Sequence, residues 1–376
     1  MNIAELYKIY NRTPIICTDT RKIDKGGIFF ALKGKNFNGN KFAIKAINNS
    51  CSFAIIDDKE FATNEKILLV DDVLETLQDL AKHHREQLSI PIIGITGSNG
   101  KTTSKELINA VLKSELNCYA TKGNLNNHIG VPLSILEINQ DHDIAIIEMG
   151  ANHKKEIEFL CNIAKPNYGV ITNIGSAHLQ GFKSLQGVIN TKNELYTFIK
   201  ENNGHLFVNE DDNLLVELSS GINKTSYGLI SSLDASINEN TPFLNVTWED
   251  SVIKSKLIGD YQFYNITLAI CIGNSFNISK RKIQLAIESY IPKNNRSEIT
   301  ETKSNLIIMD AYNANPSSMK AMLDSFSKQD YKNKLCILGD MLEMGSFSNK
   351  EHARIVKTCQ KLKLETLFVG KEFMKL

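Results

Sequence analysis

The stretch that decides the fold is GITGSNGKTTSKE, residues 94–106. It continues the apolar run IIGIT (92–96), which reads as a buried strand, and it opens a helical pattern at Lys101. Strand, glycine-rich turn and helix N-terminus in that order form the context a phosphate-binding loop needs. Glycines let backbone N–H groups turn toward phosphate oxygens, and the helix N-terminus adds partial positive charge. Gly97, Ser98, Asn99, Gly100, Lys101, Thr102 and Thr103 are therefore read as the nucleotide cradle. Lys101 is expected to reach the terminal phosphates and the Thr102 hydroxyl to face magnesium. The strict G-x-x-x-x-G-K-[ST] pattern is missed, because Ile95 stands where it demands glycine.

Outward from the loop, strand-like and helix-like segments alternate. DIAIIEM (143–149) precedes a helix near 153–164, YGVIT (168–172) precedes one near 185–200, and HLFVN (205–209) follows. That alternation implies βαβ units and a mainly parallel sheet over about 89–292. Residues 233–258 alternate differently and read as an antiparallel appendage. Before Pro91, residues 1–88 mix short apolar runs with Asn- and Gly-rich loops and end in a helix with Leu77, Leu80 and Ala81 at helical spacing. From about 293 to 376 the alternation resumes through NLIIMD (305–310), a helix after Pro316, KLCILG (334–339), a helix from about Asn349 and TLFVG (366–370). The expected fold is α/β in three domains: a small domain (1–88), a central parallel-sheet ATPase domain (89–292) and a short Rossmann-like domain (293–376).

Composition narrows the function. Lys plus Arg number 43 against 42 Asp plus Glu, a net charge of +1, which argues against a broad nucleic-acid surface. No apolar run has the length of a membrane span, and the N-terminus lacks the pattern of a secretory signal. The seven cysteines are scattered with no C-x-x-C pair, so they read as buried free thiols of a reducing cytoplasm.

Several residues outside the loop carry usable chemistry. Glu148 ends an apolar strand, where ligands of open α/β sheets gather, and would lie beside the loop; the alternative is a capping or salt-bridging glutamate. His178 follows the strand YGVIT, and the plain reading of a lone histidine there is a satisfied structural residue. Lys192 lies on a helical pattern, where a solvated lysine is the plain reading. Asn126 and Asn127 in GNLNNHIG offer amides to substrate oxygens, or simply build a turn. Asp310 ends a strand and is placed to accept from ribose hydroxyls or to cap the next helix, and Tyr312, Asn313 and Asn315 share its turn.

The variant G-x-T-G-S-x-G-K-T-T resembles the ATP loop of the Mur ligase superfamily, which also holds folylpolyglutamate synthases. TDTRKIDKGGIFFALKG (18–34), GNLNNHIGVPL (123–133), IIEMGANHKKEI (146–157), DAYNANPSSM (310–319) and LGDMLEMG (338–345) extend the resemblance over nearly the whole chain. Where this chain reads DAYNANP, the sibling that adds the third peptide residue and the folate enzymes carry a histidine-containing motif. The resemblance implies ATP-dependent joining of D-alanyl-D-alanine to UDP-N-acetylmuramoyl-tripeptide through an acyl phosphate, by a cytoplasmic monomer. The ligase adding the third residue and a non-catalytic nucleotide-binding derivative are the rival readings.

The same resemblance assigns roles. Two Mg2+ ions are implied, with Thr102 and Glu148 at one and His178 with a carbamylated Lys192 at the other; Asn173 would support the second, and Glu194 completes a K-x-E pattern. Asn265, in GDYQFYNITLAI, would contact adenine beside Gln262, although Tyr261 replaces the usual histidine there. Arg296 is the arginine that leads into the third domain, suited to phosphate. Asp19, Thr20, Arg21, Lys33 and Gly34 would bind the uridine diphosphate end of the substrate. Relatives continue past the strand matching TLFVG, so the third domain is expected to be incomplete at Leu376.

Overall fold

The computed structural model describes residues 2–176, 178–239, 242–293 and 295–376. Its centre is a six-stranded sheet, wholly parallel. The spatial order is Lys224–Tyr227, His205–Asn209, Tyr168–Ile171, Ile92–Thr96, Ile144–Glu148, Cys118–Ala120. The strand feeding the phosphate loop thus lies inside the sheet, and its neighbours are reached by crossovers in opposite directions. Ile95 pairs with Glu148 on one side and Thr96 with Ile171 on the other, so three strand ends converge on one crevice. Strands buried on both faces explain the unbroken apolar runs: Ile92–Thr96 and Ile144–Glu148 are buried at every residue. The short outer strands 118–120 and 224–227 carry no such run and were not legible in the sequence.

Helix Lys101–Leu112 leaves the loop and packs against Gln262–Ser275. The latter is buried on nearly every face, and its apolar run of Ile266, Leu268, Ala269, Ile270 and Ile272 matches an internal helix. Ala235–Glu239, Asn245–Trp248 and Ser251–Lys254 form the antiparallel appendage expected between 233 and 258, with Trp248 buried beneath it.

The first domain is a four-stranded parallel sheet of Ile16–Cys17, Ile28–Phe30, Phe53–Ile56 and Ile67–Leu69. Helix Val73–Gln87, capped by Asp72 accepting from the Glu75 N–H, buries Val73, Leu77, Leu80 and Ala81. Arg85 on this helix donates to the carbonyls of Leu88 and Ala164 at 2.8 Å each, tying it to the central domain. An opening helix, Ile3–Arg12, was not foreseen; an Asn2/Glu5 capping box starts it, and it buries only Leu6 and Tyr10.

In the third domain Leu335–Gly339 pairs in parallel with Glu365–Val369, flanked by helices Pro316–Lys328 and Ser348–Leu362. Leu306–Met309 instead forms a hairpin with Glu298–Glu301, closed where the Thr302 N–H donates to the Asn305 carbonyl at 2.8 Å. All seven cysteines are buried free thiols. No helix among the described residues is long and apolar enough to cross a membrane.

Candidate active site

Two glycines shape the loop. Gly97 has φ +147°, and a Cβ there would lie 2.0 Å from Thr172 Oγ1. Gly100, at φ +79°, precedes the helix, and a Cβ on it would come within 2.9 Å of Asn265 Oδ1. The neighbouring strand end braces the turn. Thr172 Oγ1 donates to the Asn99 carbonyl at 2.6 Å, and Asn173 Nδ2 donates to the same carbonyl at 2.9 Å. The Asn99 N–H returns a bond to Asn173 Oδ1 at 3.0 Å, so Asn173, at the cavity's edge, supports the loop. Lys101 arches over this turn, its Nζ 2.7 Å from the Gly97 carbonyl and 3.3 Å from that of Ser98. Desolvation lowers its pKa; nearby Arg296 adds to that effect and Glu148 opposes it.

Glu148 forms the floor. It is 1% exposed; its Oε2 accepts from Thr102 Oγ1 at 3.0 Å and its Oε1 from Asn126 Nδ2 at 2.7 Å. Lys105, fully buried one helical turn beyond Lys101, stands 3.6 Å from Oε2. Hydroxyl and carboxylate oxygens here form a hard donor set of the kind magnesium takes. Asn126 thus belongs to the site. Asn127 builds the turn, accepting from the N–H groups of Ile129 and Gly130 at 3.0 and 2.9 Å, while also edging the cavity.

The third domain closes the opposite wall. Phosphate loop, Asn126, Asn127, Glu148, His178, Asn265, Arg296, Asp310, Tyr312, Asn313 and Asn315 all line one cavity of about 1170 Å³. Asn315 caps helix Pro316–Lys328 through its Oδ1, while its Nδ2 donates to Asn99 Oδ1 at 2.7 Å. The Ser176 N–H donates to Ser317 Oγ at 3.1 Å. Arg296 stacks on the Tyr312 ring, 3.7 Å from its centroid. Asp310 accepts from the Ser297 N–H at 3.0 Å, and burial raises its pKa. Asn313 Oδ1 accepts from the Ala314 N–H at 2.9 Å. The Asn265 amide is engaged within the protein, accepting from Ser104 Oγ at 2.9 Å and donating to Gln262 Oε1 at 2.6 Å, directly under Gly100.

His178 reaches the cavity in a left-handed conformation, φ +52°, with Nδ1 on the Glu343 carboxylate of the third domain. Desolvation lowers its pKa against the pull of Glu343. Lys192 is not a solvated lysine: it is 2% exposed, it forms no salt bridge among the described residues, and its Nζ lies 5.8 Å from the Phe182 ring centroid. Burial, helped by Lys101, brings its pKa down to about 7. It does not line the cavity. Glu194 makes no salt bridge with Lys192, although its charge opposes the lowering of that amine's pKa; its carboxylate accepts from the Lys155 and Glu158 N–H groups at 2.8 and 3.0 Å, at the start of helix Glu156–Ala164.

The expected uridine diphosphate residues lie in the first domain, outside this cavity. Arg21 clamps Asp19 with Nη2–Oδ2 at 2.7 Å, which holds the Asp19 carboxyl down at about 2. Thr20 lies between them, half-buried. Lys33 and Gly34 form one arm of a tight hairpin with Phe37–Asn38, and Lys33 pairs with Asp57 at 2.8 Å. Sequence reasoning missed Lys105, Ser317 and Glu343. Only Lys105 left a signal, its place four residues after Lys101 on the same helix face.

Comparison with known proteins adds an independent line. Residues 95–273 match the Mur ligase middle domain, and residues 295–373 match the Mur ligase glutamate ligase domain. The chain is 35% identical to UDP-N-acetylmuramoyl-tripeptide–D-alanyl-D-alanine ligase of Bacillus subtilis, over 98% of this chain and 84% of that protein. The protein of that name from Escherichia coli is 30% identical over 95% of this chain and 81% of its own length. Among solved structures, MurF from Acinetobacter baumannii superposes with a TM-score of 0.86 at 30% identity, covering 95% of this chain and 80% of that one. MurF ligase of Thermotoga maritima, in complex with ADP, gives 0.83 at 27% identity, covering 96% and 85%. The match to the last domain runs to residue 373 and gives no support to the expectation that this domain is incomplete. The chain that carries this phosphate loop, buried glutamate floor and third-domain wall aligns over most of its length with these ligases, and it belongs to the Mur ligase family.

Proposed function

We propose that this chain is an ATP-dependent ligase that joins D-alanyl-D-alanine to UDP-N-acetylmuramoyl-tripeptide in peptidoglycan precursor synthesis. The observation that carries the reading is the single cavity in which the phosphate loop and Glu148 face Arg296, Asp310 and Asn315 of the third domain. Its domains are taken as 1–88, 89–292 and 293–376, and it works as a monomer in the cytoplasm.

The tripeptide's terminal carboxylate attacks the γ-phosphorus of ATP, ADP leaves, and an acyl phosphate forms. The amine of D-alanyl-D-alanine then attacks the acyl carbon, phosphate departs and the amine loses a proton. The protein positions and neutralises; it takes no covalent part. Backbone N–H groups of residues 97–103 cradle the phosphates, and Lys101 swings from its loop carbonyls onto the terminal one. Bound Mg2+ supplies charge neutralisation, with Thr102 and Glu148 as its protein oxygens. Arg296 binds phosphate, Asp310 accepts from ribose, and Asn265 supports the loop from beneath the adenine side. Asn126, Asn127, Tyr312, Asn313 and Asn315 hold the reacting ends of the peptides, while Asp19, Thr20, Arg21, Lys33 and Gly34 hold the uridine diphosphate. A wall supplied by the third domain keeps water from the acyl phosphate.

A second Mg2+ is assigned to His178 with a carbamate on Lys192. Carbon dioxide adds to a neutral amine, and an amine with a pKa of about 7 is substantially neutral at cellular pH. Lys192 lies close enough to His178 for its charge to help lower the histidine's pKa, so a carbamate there, with substrate phosphate, would supply the oxygens the imidazole lacks. The reading is tested by phosphate release with each acceptor: it requires both UDP-N-acetylmuramoyl-tripeptide and D-alanyl-D-alanine, and release with UDP-dipeptide and a single amino acid instead would assign the chain to the neighbouring step.

A further inference from the structure

Lys105 has no part in the mechanism above, yet it is the most completely enclosed cation beside the site, with 0% exposure. Its Nζ donates to the Thr121 carbonyl at 2.6 Å and to the Gly123 carbonyl at 3.3 Å. The same Nζ stands 3.1 Å from Glu106 Oε1 and 3.6 Å from Glu148 Oε2. A fully buried ammonium is costly unless every proton has a partner, and here carbonyls and carboxylates supply them. The partners lie on two functional parts. Glu148 is the floor of the phosphate site, and residues 121–123 lead into the turn that carries Asn126, itself bonded to Glu148 at 2.7 Å. Thr121 also receives the Glu148 N–H on its Oγ1 at 3.0 Å, so strand end, turn and carboxylate form one closed network around Lys105.

We propose that Lys105 is a positioning residue for nucleotide-bound magnesium and for the peptide-facing turn. It faces Glu148 Oε2, the oxygen that also accepts from Thr102, so the carboxylate keeps the orientation in which a cation meets it. It also fixes the backbone from which Asn126 projects, coupling the acceptor turn to the phosphate site through one side chain. Lys101 and Lys105, one turn apart on the same helix, divide the work: the first serves the phosphates and the second the groups beneath them. The proposal rests on the ligase reading for the identity of the nucleotide and cation.

Lys105→Met and Lys105→Gln in the full chain test it, with binding of a non-hydrolysable ATP analogue titrated against Mg2+ by calorimetry and amide exchange followed over residues 121–127. Both variants are expected to melt cooperatively and to need about 10-fold more Mg2+ for half-maximal tightening, the scale of one misplaced hydrogen-bonded ligand. Lys105→Met should also raise exchange in 121–127 by about 10-fold, because its carbonyl bonds are gone. An unchanged Mg2+ midpoint in folded variants would overturn the proposal, leaving Lys105 a core residue, and so would failure of both variants to fold. Binding needs no acceptor, so an error in the acceptor assignment leaves this result standing. A wild-type protein that binds no nucleotide would defeat the ligase reading itself.

Discussion

Asn315 Nδ2 donates to Asn99 Oδ1 at 2.7 Å, so the third domain touches the tip of the phosphate loop. Ser317 accepts from the Ser176 N–H at 3.1 Å, and the Gln180 N–H donates to the Glu343 carbonyl at 3.0 Å. Third-domain wall and phosphate loop are therefore joined directly by hydrogen bonds, through Asn99 at the loop and through residues 176 and 180 beyond the next strand. Asn315→Ser separates this contact from helix capping, because serine caps as well as asparagine but lacks the amide donor. Turnover is expected to fall about 10-fold, one hydrogen bond of roughly 1–1.5 kcal/mol, with the melting temperature nearly unchanged. Steady-state kinetics beside a thermal melt decide it; unaltered kcat would mean the contact does not serve catalysis.

Lys101→Ala should slow phosphate release by about 10²–10³, the scale for removing a stabiliser of transition-state charge. Binding of the UDP-linked substrate should stay near normal, because Asp19, Arg21 and Lys33 lie in another domain. Near-normal turnover would remove the loop from the mechanism.

Gly97→Ala places a methyl 2.0 Å from Thr172 Oγ1 at a φ of +147°. It should cost at least about 3 kcal/mol, from overpacking plus backbone strain. Gly123→Ala, at φ +56° with open space around it, should cost only about 1 kcal/mol. Denaturant melts of the two variants should differ accordingly; equal costs would show that the loop relaxes freely.

Lys192 has a pKa of about 7 against an ordinary 10.5. Its folded form binds fewer protons than the unfolded chain, so the penalty is full below pH 7 and fades as pH rises from 7 toward 10.5. Lys192→Met in carbon dioxide-free buffer should therefore gain stability of about 2–5 kcal/mol at pH 6 and progressively less toward pH 10. It should also lose turnover. A stability difference independent of pH would mean that the amine is not held neutral by burial.

The phosphate loop was legible because its chemistry is local: a strand, two glycines with positive φ and a helix start within a few residues of one another. Glu148 was legible from its place at a strand end. Lys105 showed only its spacing from Lys101, since the groups that define it, Thr121 and Glu148, arrive from the ends of two other strands. The helix Leu185–Glu201 likewise gave no sign that Lys192 is buried, because its neighbours there, the Phe182 ring and Lys101, lie outside that helix. Strands 118–120 and 224–227 were too short to show a period, and they are strands because the sheet's edges accept them. Asn173 and Glu194, matched to a family pattern, turned out to brace the loop and cap a helix, roles that depend on backbone N–H groups no sequence pattern displays.

The most direct test of the reaction follows one oxygen atom. UDP-N-acetylmuramoyl-tripeptide labelled with 18O in its terminal carboxylate is incubated with ATP, Mg2+, D-alanyl-D-alanine and the protein, and the released phosphate is analysed by mass spectrometry. If the carboxylate attacks ATP and the amine then expels phosphate, each peptide product is matched by one phosphate carrying one 18O. Unlabelled phosphate would mean that water takes the phosphoryl group, contradicting the acyl-phosphate ligase derived from this site.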